Sequence, residues 1–596
     1  MTSVTQRLAA LRQALKTHGL NAWIVPSADP HLSEYFPDHW DTRSWLSGFT
    51  GSVGTLVVTE QKASLWVDSR YFEQATHQLQ GSGIDMDKLG FGKTHIDWLV
   101  ENVAENGTVG VAPDMLSLAA KRALETAFTT KNIRLQATQD IVNDFWTDRP
   151  ALPKAKIYPH EVRYVSETAA SKLARVRQAM QEKHADAHLI SSMDDIAWLT
   201  NLRGSDVSYN PVFLAHLLIS HEQATLFVDA EKLATAEQNA LQQAGIQIAD
   251  YHQVANALAH IQGKLLLDPN KVAISTLQQL TDDVQLVESI NPSTLFKSVK
   301  SPQDIAFIRE AMIEDGVALC GFFAELEQKI ANNDPLNELD ISDMLIAHRS
   351  QRAGYISPSF GTIAGFNANG ALPHYSATPE AYSEIQGNGL LLIDSGAQYQ
   401  SGTTDITRVV AIRDVNAQQK RDFTLVLKAH IALATTVFPE GILSPMIDAI
   451  CRKPLWEAQC DYGHGTGHGV GYFMNVHEGP QVISYHAMPN PNHAFKAGMF
   501  TSNEPGLYRP GKWGIRIENL VINQPVAQPQ ETEFGSFLYF ETVTLCPIDT
   551  RLVEPSLMTA QEIQWLNDYH AEVRAKLESR TEGDAKAWLI QATEAI

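Results

Sequence analysis

The sequence lacks any apolar segment long enough to cross a membrane. No apolar stretch of about 18 residues occurs in the 596-residue chain, and residues 1–20 carry polar side chains throughout, unlike a signal peptide. Basic residues are also in short supply, since 46 Lys and Arg stand against 68 Asp and Glu, for a formal net charge of -22. Nucleic acid and anionic membranes both require clustered positive charge, so neither is expected as a partner. These absences predict a cytoplasmic protein.

Cysteine is equally scarce. The four cysteines are Cys320, Cys451, Cys460 and Cys546, and no two of them form a C-x-x-C pair. This pattern excludes a disulfide framework and a thiolate zinc site, and it predicts reduced thiols. The sequence has no G-x-S-x-G elbow, which disfavours a covalent acyl-enzyme. His477-Glu478 is not followed by the second histidine of a His-Glu-x-x-His zinc motif.

Two segments of the first half present the same features in the same order. Each has a helical pattern, a β-rich run, a Trp-Leu dipeptide and two short strands around a polar turn that ends in Val-Asp. The first segment comprises the helical pattern 5–18, then Ala22–Ser27, Trp45–Phe49 and Thr55–Phe72, and the second comprises 166–184, then Ala187–Ser192, Trp198–Leu202 and His216–Leu233. The repetition predicts a duplicated α/β domain, with two unrelated α/β domains as the alternative.

A different domain is predicted to begin at Ser301. Ser301 is a cap residue, a proline follows it, and Asp304 stands at the third helical position, which is typical of a helix start. Helical patterns cover 301–330, 340–352 and 417–437, and strand patterns cover 390–394 and 405–412. Thr559 and Glu562 form another capping-box pattern, which predicts a helix to about residue 578 followed by an appended helical tail. Mixed helices and strands predict an α+β domain.

Two aspartates stand at the facing ends of the two predicted strands of this domain. Asp394 ends one strand, Asp405 begins the next, and a turn is expected to join them. Strands that run out and back would bring both carboxylates to one space, where their repulsion could be relieved by divalent cations. The alternative is that each aspartate caps a turn, which is a common use of this residue.

A second motif, GHGTGHGVG, covers Gly463–Gly471 and contains His464 and His468. Five alternating glycines make a helix very costly, so we expect an extended or looped segment that approaches other backbone closely. Alternating Gly and His leaves little packing bulk for a purely structural histidine. Separate functional roles for the two histidines are therefore favoured.

Two further motifs supply glutamates. Glu504 lies in TSNEPG, off any regular helix face, while Arg516 and Glu518 lie in GIRIEN and alternate with isoleucines in a strand pattern. Arg516 and Glu518 would share one side of that strand, with a surface ion pair as the alternative. The candidate metal ligands are four carboxylates and one imidazole, a set that favours manganese, cobalt or zinc pairs. We call this the five-ligand set: Asp394, Asp405, His468, Glu504 and Glu518.

Together, LLIDSGAQYQSGTTDITR, GHGTGHGVG, NEPG and GIRIEN resemble the aminopeptidase P (Xaa-Pro aminopeptidase) group of the pita-bread metallopeptidases. The resemblance spans the chain and implies a mixed α/β and α+β fold with three domains. Two creatinase-like N-terminal α/β domains (1–160 and 161–300) would precede a C-terminal pita-bread metallopeptidase domain (301–596). The resemblance also implies that the five-ligand set binds two divalent metal ions, manganese by analogy, and that the protein is a homodimer.

The same resemblance implies roles for other residues. His374, His464 and His477 match family histidines that contact the substrate or stabilise the tetrahedral intermediate, Glu504 would also shuttle a proton, and Arg516 would orient neighbouring carboxylates. The implied reaction is attack by a hydroxide that bridges two metals on the carbonyl before proline, which releases the N-terminal residue of a peptide with a penultimate proline.

Several alternatives compete with this hypothesis. Prolidase has a similar metal set but requires an Xaa-Pro dipeptide, and the tandem N-terminal domains argue against it. Creatinase-like hydrolysis does without the metal carboxylates, and methionine aminopeptidase would lack the N-terminal half. A non-catalytic binding protein on the same fold is the alternative from a different class, and the intact five-ligand set argues against it.

Overall fold

The computed structural model describes residues 3–90, 92–528, 531 and 533–596 and divides into two compact units. Unit 1 comprises the residues up to Val162 together with Glu167–Thr294, and unit 2 comprises Arg163–Ser166 and Leu295–Ile596. Both segments of the predicted duplication lie in unit 1, apart from Ser166 at the start of the second segment. In the described part of the chain, no helix is both long and apolar enough to cross a membrane.

The first half of unit 1 is built around a six-stranded sheet of order β4-β3-β2-β1-β5-β6. Its strands are β1 Ala22–Pro26, β2 Thr55–Thr59, β3 Ala63–Val67, β4 Asp85–Lys88, β5 Thr108–Val111 and β6 Arg134–Gln136, and its helices are α1 Val4–Thr17, α2 Thr42–Ser47, α3 Phe72–Gln78, α4 His95–Asn102 and α5 Leu118–Phe128. The apolar side chains of β1 and β5 pack with Leu99 and Phe128 from the helices in one buried cluster.

The second half contains another six-stranded sheet, of order β12-β11-β10-β8-β13-β14. The strands of this region are β7 Tyr158–Pro159, β8 Ala187–Ile190, β9 Leu202–Arg203, β10 His216–Ser220, β11 Ala224–Phe227, β12 Ile246–Ala249, β13 Lys264–Leu267 and β14 Gln285–Glu288, and the helices are α6 Ala169–Glu182, α7 Met193–Thr200, α8 Thr235–Gln243, α9 Val254–Leu258 and α10 Pro292–Ser298.

The two sheets have the same topology. The first strand, β1 or β8, pairs antiparallel with the first strand of a hairpin, β2 or β10. On its other side it pairs parallel with β5 or β13. In each hairpin the second strand then pairs parallel with an edge strand. The helices before β1 and β8 and the Trp-Leu dipeptides, which lie in α2 and α7, also correspond. The duplicated α/β arrangement therefore holds at the level of strand order and direction.

Unit 2 is the mixed domain. Its strands are β15 Tyr355–Pro358, β16 Ile363–Phe366, β17 Gly389–Ser395, β18 Ala397–Tyr399, β19 Gly402–Thr403, β20 Ile406–Ile412, β21 Val437–Pro439, β22 Gly467–His468, β23 Val482–Ile483, β24 Phe500–Asn503, β25 Gly506–Arg509, β26 Trp513–Arg516, β27 Asn519–Pro525 and β28 Phe537–Thr542. Its helices are α11 Pro302–Asn332, α12 Glu338–Arg349, α13 Ala417–Ala434, α14 Asp448–Glu457, α15 Ala560–Leu577 and α16 Gly583–Ala592.

The helix starts predicted from capping patterns are confirmed. Ser301 Oγ accepts a hydrogen bond from Asp304 N at 3.1 Å, and Asp304 Oδ2 accepts one from Ser301 N at 3.0 Å. The same reciprocal box joins Thr559 and Glu562 at the start of α15. Reciprocal caps satisfy orphan backbone donors at each helix start, which is why these two starts are readable from sequence.

Two expectations about unit 2 are wrong. Asp394 and Asp405 are not joined by a simple turn, because the chain between β17 and β20 forms the short hairpin β18–β19, which pairs with β15. The C-terminal helix α16 is not an appended tail, because Trp588 stacks on Phe323 of α11 with ring centroids 5.3 Å apart. Its neighbour Leu589 is fully buried, so this helix completes the core of unit 2.

A buried histidine makes unit 1 sensitive to acid. His188 on β8 donates from Nδ1 to the Leu266 carbonyl oxygen at 2.9 Å, and its Nε2 has no hydrogen-bond partner among the described residues. Burial lowers the pKa of His188 to about 4. The unfolded chain takes up this proton at about pH 6.5, so stability is fully present above that pH. It is lost as the pH falls towards 4, by about 1.4 kcal/mol per pH unit.

We expect His188→Leu to remove the contribution of His188 to the pH dependence of the free energy of unfolding. The free energy of unfolding, measured by urea denaturation at pH 7.5, 6.0 and 5.0, should fall less steeply in the variant than in the wild type. His221→Leu, a substitution at an exposed histidine, is the matched control and should keep the wild-type slope. An unchanged slope in His188→Leu would contradict the prediction.

Candidate metal centre

Asp394 and Asp405 come from two neighbouring antiparallel strands. In the β17–β20 ladder, Asp394 lies opposite Thr407 and Ser395 lies opposite Ile406, so Asp405 immediately precedes the paired segment. Both aspartates are buried. The strand register thus brings the two carboxylates to the same end of the sheet, as their positions in the sequence predict.

His468 enters the same site from the glycine-rich segment, which is extended and contains β22. Its Nδ1 donates to the Gly469 carbonyl oxygen at 2.9 Å, so Nε2 is the atom turned towards the carboxylates. Nε2 lies 3.6 Å from Asp405 Oδ2 and 3.4 Å from Glu504 Oε1. A Cβ at Gly467 would overlap the Ser502 carbonyl oxygen, so this close approach of backbones requires glycine.

The two glutamates are held by hydroxyl groups. Glu504 Oε1 accepts from Ser502 Oγ at 3.0 Å, and Glu518 Oε2 accepts from Thr407 Oγ1 at 2.8 Å. One potential ligand atom from each of Asp405, His468 and Glu518 lies within 4.8 Å of the others. The structure therefore gathers into one site residues from β22 and from the segments that precede β20 and follow β24 and β26. Asp394 on β17 is connected to them by Arg516 and Thr407.

Arg516 lies beside these carboxylates. Its Nη2 donates to Asp394 Oδ2 at 2.5 Å and its Nε to Thr407 Oγ1 at 3.1 Å. Arg516 and Glu518 are 3% and 1% exposed, so they do not form a surface ion pair. They meet through the Thr407 hydroxyl, which accepts from Arg516 and donates to Glu518. The strand pattern is broken between β26 and β27, where Glu518 lies.

The clustered carboxylates of the site repel one another, and added positive charge would relieve this repulsion. Burial, reinforced by Asp394 and Glu504, raises the pKa of Asp405 well above its usual range. Burial and Asp405 do the same for Glu518, and burial raises the pKa of Glu504 to about 7. Asp394 Oδ1 and Glu518 Oε1 are buried with no hydrogen-bond partner among the described residues. Oxygen-rich donors and unsatisfied carboxylate oxygens fit a pair of hard divalent cations.

Two of the predicted histidines border the ligands. The ring of His477 stands edge-on to that of His468, with centroids 4.3 Å apart. His464 donates from Nδ1 to the Gly465 carbonyl oxygen at 2.7 Å, and its Nε2 lies 2.8 Å from the Tyr508 hydroxyl, which accepts from Arg516 Nη1 at 2.7 Å. Tyr508 and Arg516 thus connect His464 to Asp394.

Comparisons with known proteins agree with this architecture. Family models match in chain order: the creatinase/prolidase N-terminal domain at residues 7–145 and again at 148–304, metallopeptidase family M24 at 306–524, and the C-terminal region of peptidase M24 at 536–596. Aminopeptidase P2 from Arabidopsis thaliana is 38% identical, with 100% of this chain and 89% of the relative covered. Xaa-Pro aminopeptidase 1 from Dictyostelium discoideum is 37% identical, with 96% and 93% covered.

This chain belongs to the Xaa-Pro aminopeptidase family. A solved structure agrees: the X-prolyl aminopeptidase from Caenorhabditis elegans, described as a cytosolic enzyme with a di-nuclear active site, is similar with a TM-score of 0.94 and 31% identity over 100% of both chains. The predicted fold class, creatinase-like α/β domains followed by a pita-bread metallopeptidase domain, is confirmed.

In this Xaa-Pro aminopeptidase, His374 lies on a separate segment of unit 2. It follows the 3-10 turn Asn367–Ala371 and is partly buried. The turn packs on β26, where a Cβ at Gly514 would overlap the Gly370 carbonyl oxygen. The segment of His374 therefore lies beside the strand that carries Arg516.

Sequence reasoning missed Tyr508 and Thr407. Tyr508 lies opposite Gly514 in the β25–β26 hairpin, and Arg516 is two residues further along the same strand as Gly514. The side chains of Tyr508 and Arg516 therefore point to the same face of the hairpin. The strand–Pro-Gly–strand pattern 506–516 was the available signal. Thr407 has no comparable signal, because its role depends on β17–β20 register and on the approach of Glu518.

Proposed function

We propose that this Xaa-Pro aminopeptidase removes the N-terminal residue from peptides with a penultimate proline, by metal-dependent hydrolysis. The observation that carries the proposal is the convergence of Asp405, His468 and Glu518 in one site, with Glu504 Oε1 3.4 Å from His468 Nε2. Among the described residues, Asp394 Oδ1 and Glu518 Oε1 are buried there without a hydrogen-bond partner. Full-length similarity to relatives named Xaa-Pro aminopeptidase supports the substrate class over the dipeptides of prolidase.

The five-ligand set would hold two divalent ions, which we propose to be manganese. When bound, such ions supply a water of low pKa and polarise the scissile carbonyl. The choice of manganese rests on the family resemblance, since carboxylate-rich sites accept several divalent metals. Metal analysis of protein purified without added metal tests it, and two equivalents of zinc with full activity would contradict it.

The chain's own residues would orient the substrate and move the proton. Glu504 would take a proton from the attacking water and pass it to the departing proline nitrogen, because its carboxylate lies among the proposed ligands, 3.4 Å from His468 Nε2. His374, His464 and His477 would donate hydrogen bonds to the substrate and its developing oxyanion. Arg516 would fix the orientation of Asp394, near which the substrate ammonium is held.

Three peptides distinguish the candidate functions. The purified, manganese-loaded protein should cleave only the Arg-Pro bond of Arg-Pro-Pro and should leave Arg-Ala-Ala intact. Preference for the dipeptide Ala-Pro would indicate prolidase instead. Inactivity towards all three peptides, in a sample with two bound metal ions, would favour a non-catalytic binding protein.

We also propose a homodimer, supported by an exposed apolar patch around α14. Trp456 and Tyr485, which are 42% and 46% exposed, form an edge-on ring pair, and Met488 is 82% exposed. Met446 and Ile450 are exposed in the same part of the chain. Monomers rarely leave several large apolar side chains exposed together, so a second copy is the occupant that we propose.

Trp456→Glu should convert the dimer to a monomer. The substitution places a charge among the apolar side chains that would be buried between copies. Light scattering coupled to size-exclusion chromatography should report a mass near 66 kDa, against about twice that for the wild type. Leu557→Glu, at another exposed apolar residue, is the matched control and should remain dimeric. A monomeric wild type would contradict the proposal.

We further propose a cytoplasmic location and the domain division 1–160, 161–300 and 301–596. The two separate six-stranded sheets and the family matches at 7–145, 148–304 and 306–524 support the division. Limited proteolysis should cut first near residues 160 and 300, and early cuts within either sheet would contradict it. Cell fractionation tests the location.

A further inference from the structure

A buried glutamate outside the five-ligand set organises the segment that carries His374. Glu338, the first residue of α12, is 2% exposed. Its carboxylate accepts from two backbone amides, Phe366 N to Oε1 at 2.7 Å and Ser383 N to Oε2 at 2.7 Å. These two amides belong to residues on either side of the segment 367–382. A single carboxylate thus holds both ends of one loop.

Side chains inside the loop bind the same carboxylate. The Tyr375 hydroxyl donates to Glu338 Oε2 at 2.8 Å, and Asn369 Nδ2 lies 3.0 Å from each oxygen of Glu338. Asn369 Nδ2 also donates to the Tyr375 hydroxyl at 3.0 Å. Burial and the acceptor Glu338 raise the pKa of Tyr375, which keeps its hydroxyl protonated as a donor.

All of these donors are neutral. Among the described residues, no ion pair involves Glu338, and its carboxylate accepts hydrogen bonds from side chains of the loop and from the two flanking amides. A buried carboxylate is stable in this state only when its donors are held in place, and losing one leaves an uncompensated lone pair. The carboxylate and the loop therefore fix each other's conformation.

The loop is also fixed against the catalytic site. Its first turn, Asn367–Ala371, packs on β26, where Gly370 and Gly514 approach too closely for any side chain. β26 ends at Arg516, the partner of Asp394. Tyr375 is the residue directly after His374, so its hydroxyl anchors the chain one residue away from the proposed oxyanion donor.

We propose that Glu338 and Tyr375 are positioning residues that hold His374 in its catalytic orientation. The proposal rests on the role of His374 given under the proposed function. Glu338 acts through the loop, and the hydrogen-bond partners of its carboxylate among the described residues include no member of the five-ligand set. A misplacement of about 1 Å in a catalytic group can cost about a hundredfold in rate, so the effect should appear in kcat.

Tyr375→Phe is the direct test, because it removes one hydroxyl and keeps the ring. We expect kcat for Arg-Pro-Pro to fall about tenfold with KM nearly unchanged, since the lost interaction orients a group that acts in the transition state. Bound metal should stay at two equivalents. Tyr382→Phe is the matched control and should keep wild-type activity, since Tyr382 is an exposed tyrosine of the same loop and, among the described residues, its hydroxyl makes no hydrogen bond to Glu338.

A double-mutant cycle separates positioning of His374 from a general structural effect. In a His374→Ala background, Tyr375→Phe should change the residual kcat less than about twofold, because the group that it positions is gone. Glu338→Gln should likewise have little effect on kcat in the His374→Ala background, and in the wild-type background it should lower kcat more than Tyr375→Phe does. Equal losses in both backgrounds, or loss of bound metal in Tyr375→Phe, would overturn the inference.

The cycle also distinguishes this inference from the proposed function. If His374→Ala were fully active, the role of His374 and the inference built on it would both fail. If His374→Ala were impaired but Tyr375→Phe and Glu338→Gln were fully active, only the positioning role would fail. A wild type with no activity on Arg-Pro-Pro would overturn the proposed function itself.

Discussion

Glu504→Gln is expected to reduce kcat/KM for Arg-Pro-Pro by about a thousandfold or more. The amide keeps the size of the side chain but can neither accept a proton from water nor deliver one to the proline nitrogen. Glu504 Oε1 lies 3.4 Å from His468 Nε2 and 3.0 Å from Ser502 Oγ, which fixes the carboxylate within the ligand group. The substitution also removes one negative charge from the metal site.

Metal analysis separates these two effects. If Glu504→Gln keeps two equivalents of metal and is inactive, the loss is in proton transfer; a loss of metal would assign it to ligation. Glu572→Gln, on the surface of α15 and paired with Lys576, is the matched control and should be fully active. A metal-replete Glu504→Gln with more than about a tenth of wild-type activity would contradict the proton-shuttle role.

Metal removal is expected to lower the melting temperature much more at pH 8 than at pH 6. The folded pKa values of Asp405, Glu504 and Glu518 lie above those of the unfolded chain, so their stabilising protonation is present at low pH. This stabilisation is lost as the pH rises and the carboxyl groups lose their protons, which for Glu504 happens around pH 7. At pH 8 the metal-free protein has therefore lost the proton of Glu504, and an ionised carboxylate is the form that binds a divalent cation.

The expected size of the effect follows from binding linkage. An ion present at a thousandfold over its dissociation constant stabilises the folded state by about 4 kcal/mol. In a unit of this size that corresponds to a shift on the order of 10 °C. Thermal unfolding with EDTA, and again after manganese is restored, measures the shift at each pH.

Asp405→Asn provides the control for that experiment. The variant should respond little to EDTA, because it lacks a ligand, and its metal-free form should be more stable than the wild type at pH 8, because one buried charge is gone. An EDTA response equal to that of the wild type would contradict the assignment of Asp405 to the metal site. So would a wild type whose melting temperature does not depend on added metal.

Much of the fold was predictable because its signals are local. The helix start at Ser301 and the helix start at Thr559 depend on residues three positions apart, and the strands 390–394 and 405–412 are short segments of mostly apolar residues. The repeated pattern in the first half likewise predicts a duplicated α/β domain, and the two six-stranded sheets have the same strand order. The packing of α16 on α11 was not predictable, since Trp588 meets Phe323 from more than 260 positions away.

The candidate ligands were also readable, because chemistry restricts residue types at a metal site. Asp394, Asp405, His468, Glu504 and Glu518 stand in short motifs whose glycines and strand ends mark unusual backbone. Their assignment as one ligand set comes from the resemblance to the aminopeptidase P group, and four carboxylates with one imidazole are typical ligands of hard divalent cations.

The sequence by itself determined the duplicated α/β units, the mixed C-terminal unit and the residue types of the ligand set. Only the tertiary structure decided how those residues are held: Thr407 between Arg516 and Glu518, Tyr508 between Arg516 and His464, and Glu338 at both ends of the His374 loop. Each of these contacts joins segments far apart in the chain, and hydrogen bonds form only at distances near 3 Å. Linear spacing fixes such distances within one turn or hairpin, but between segments they are set by packing.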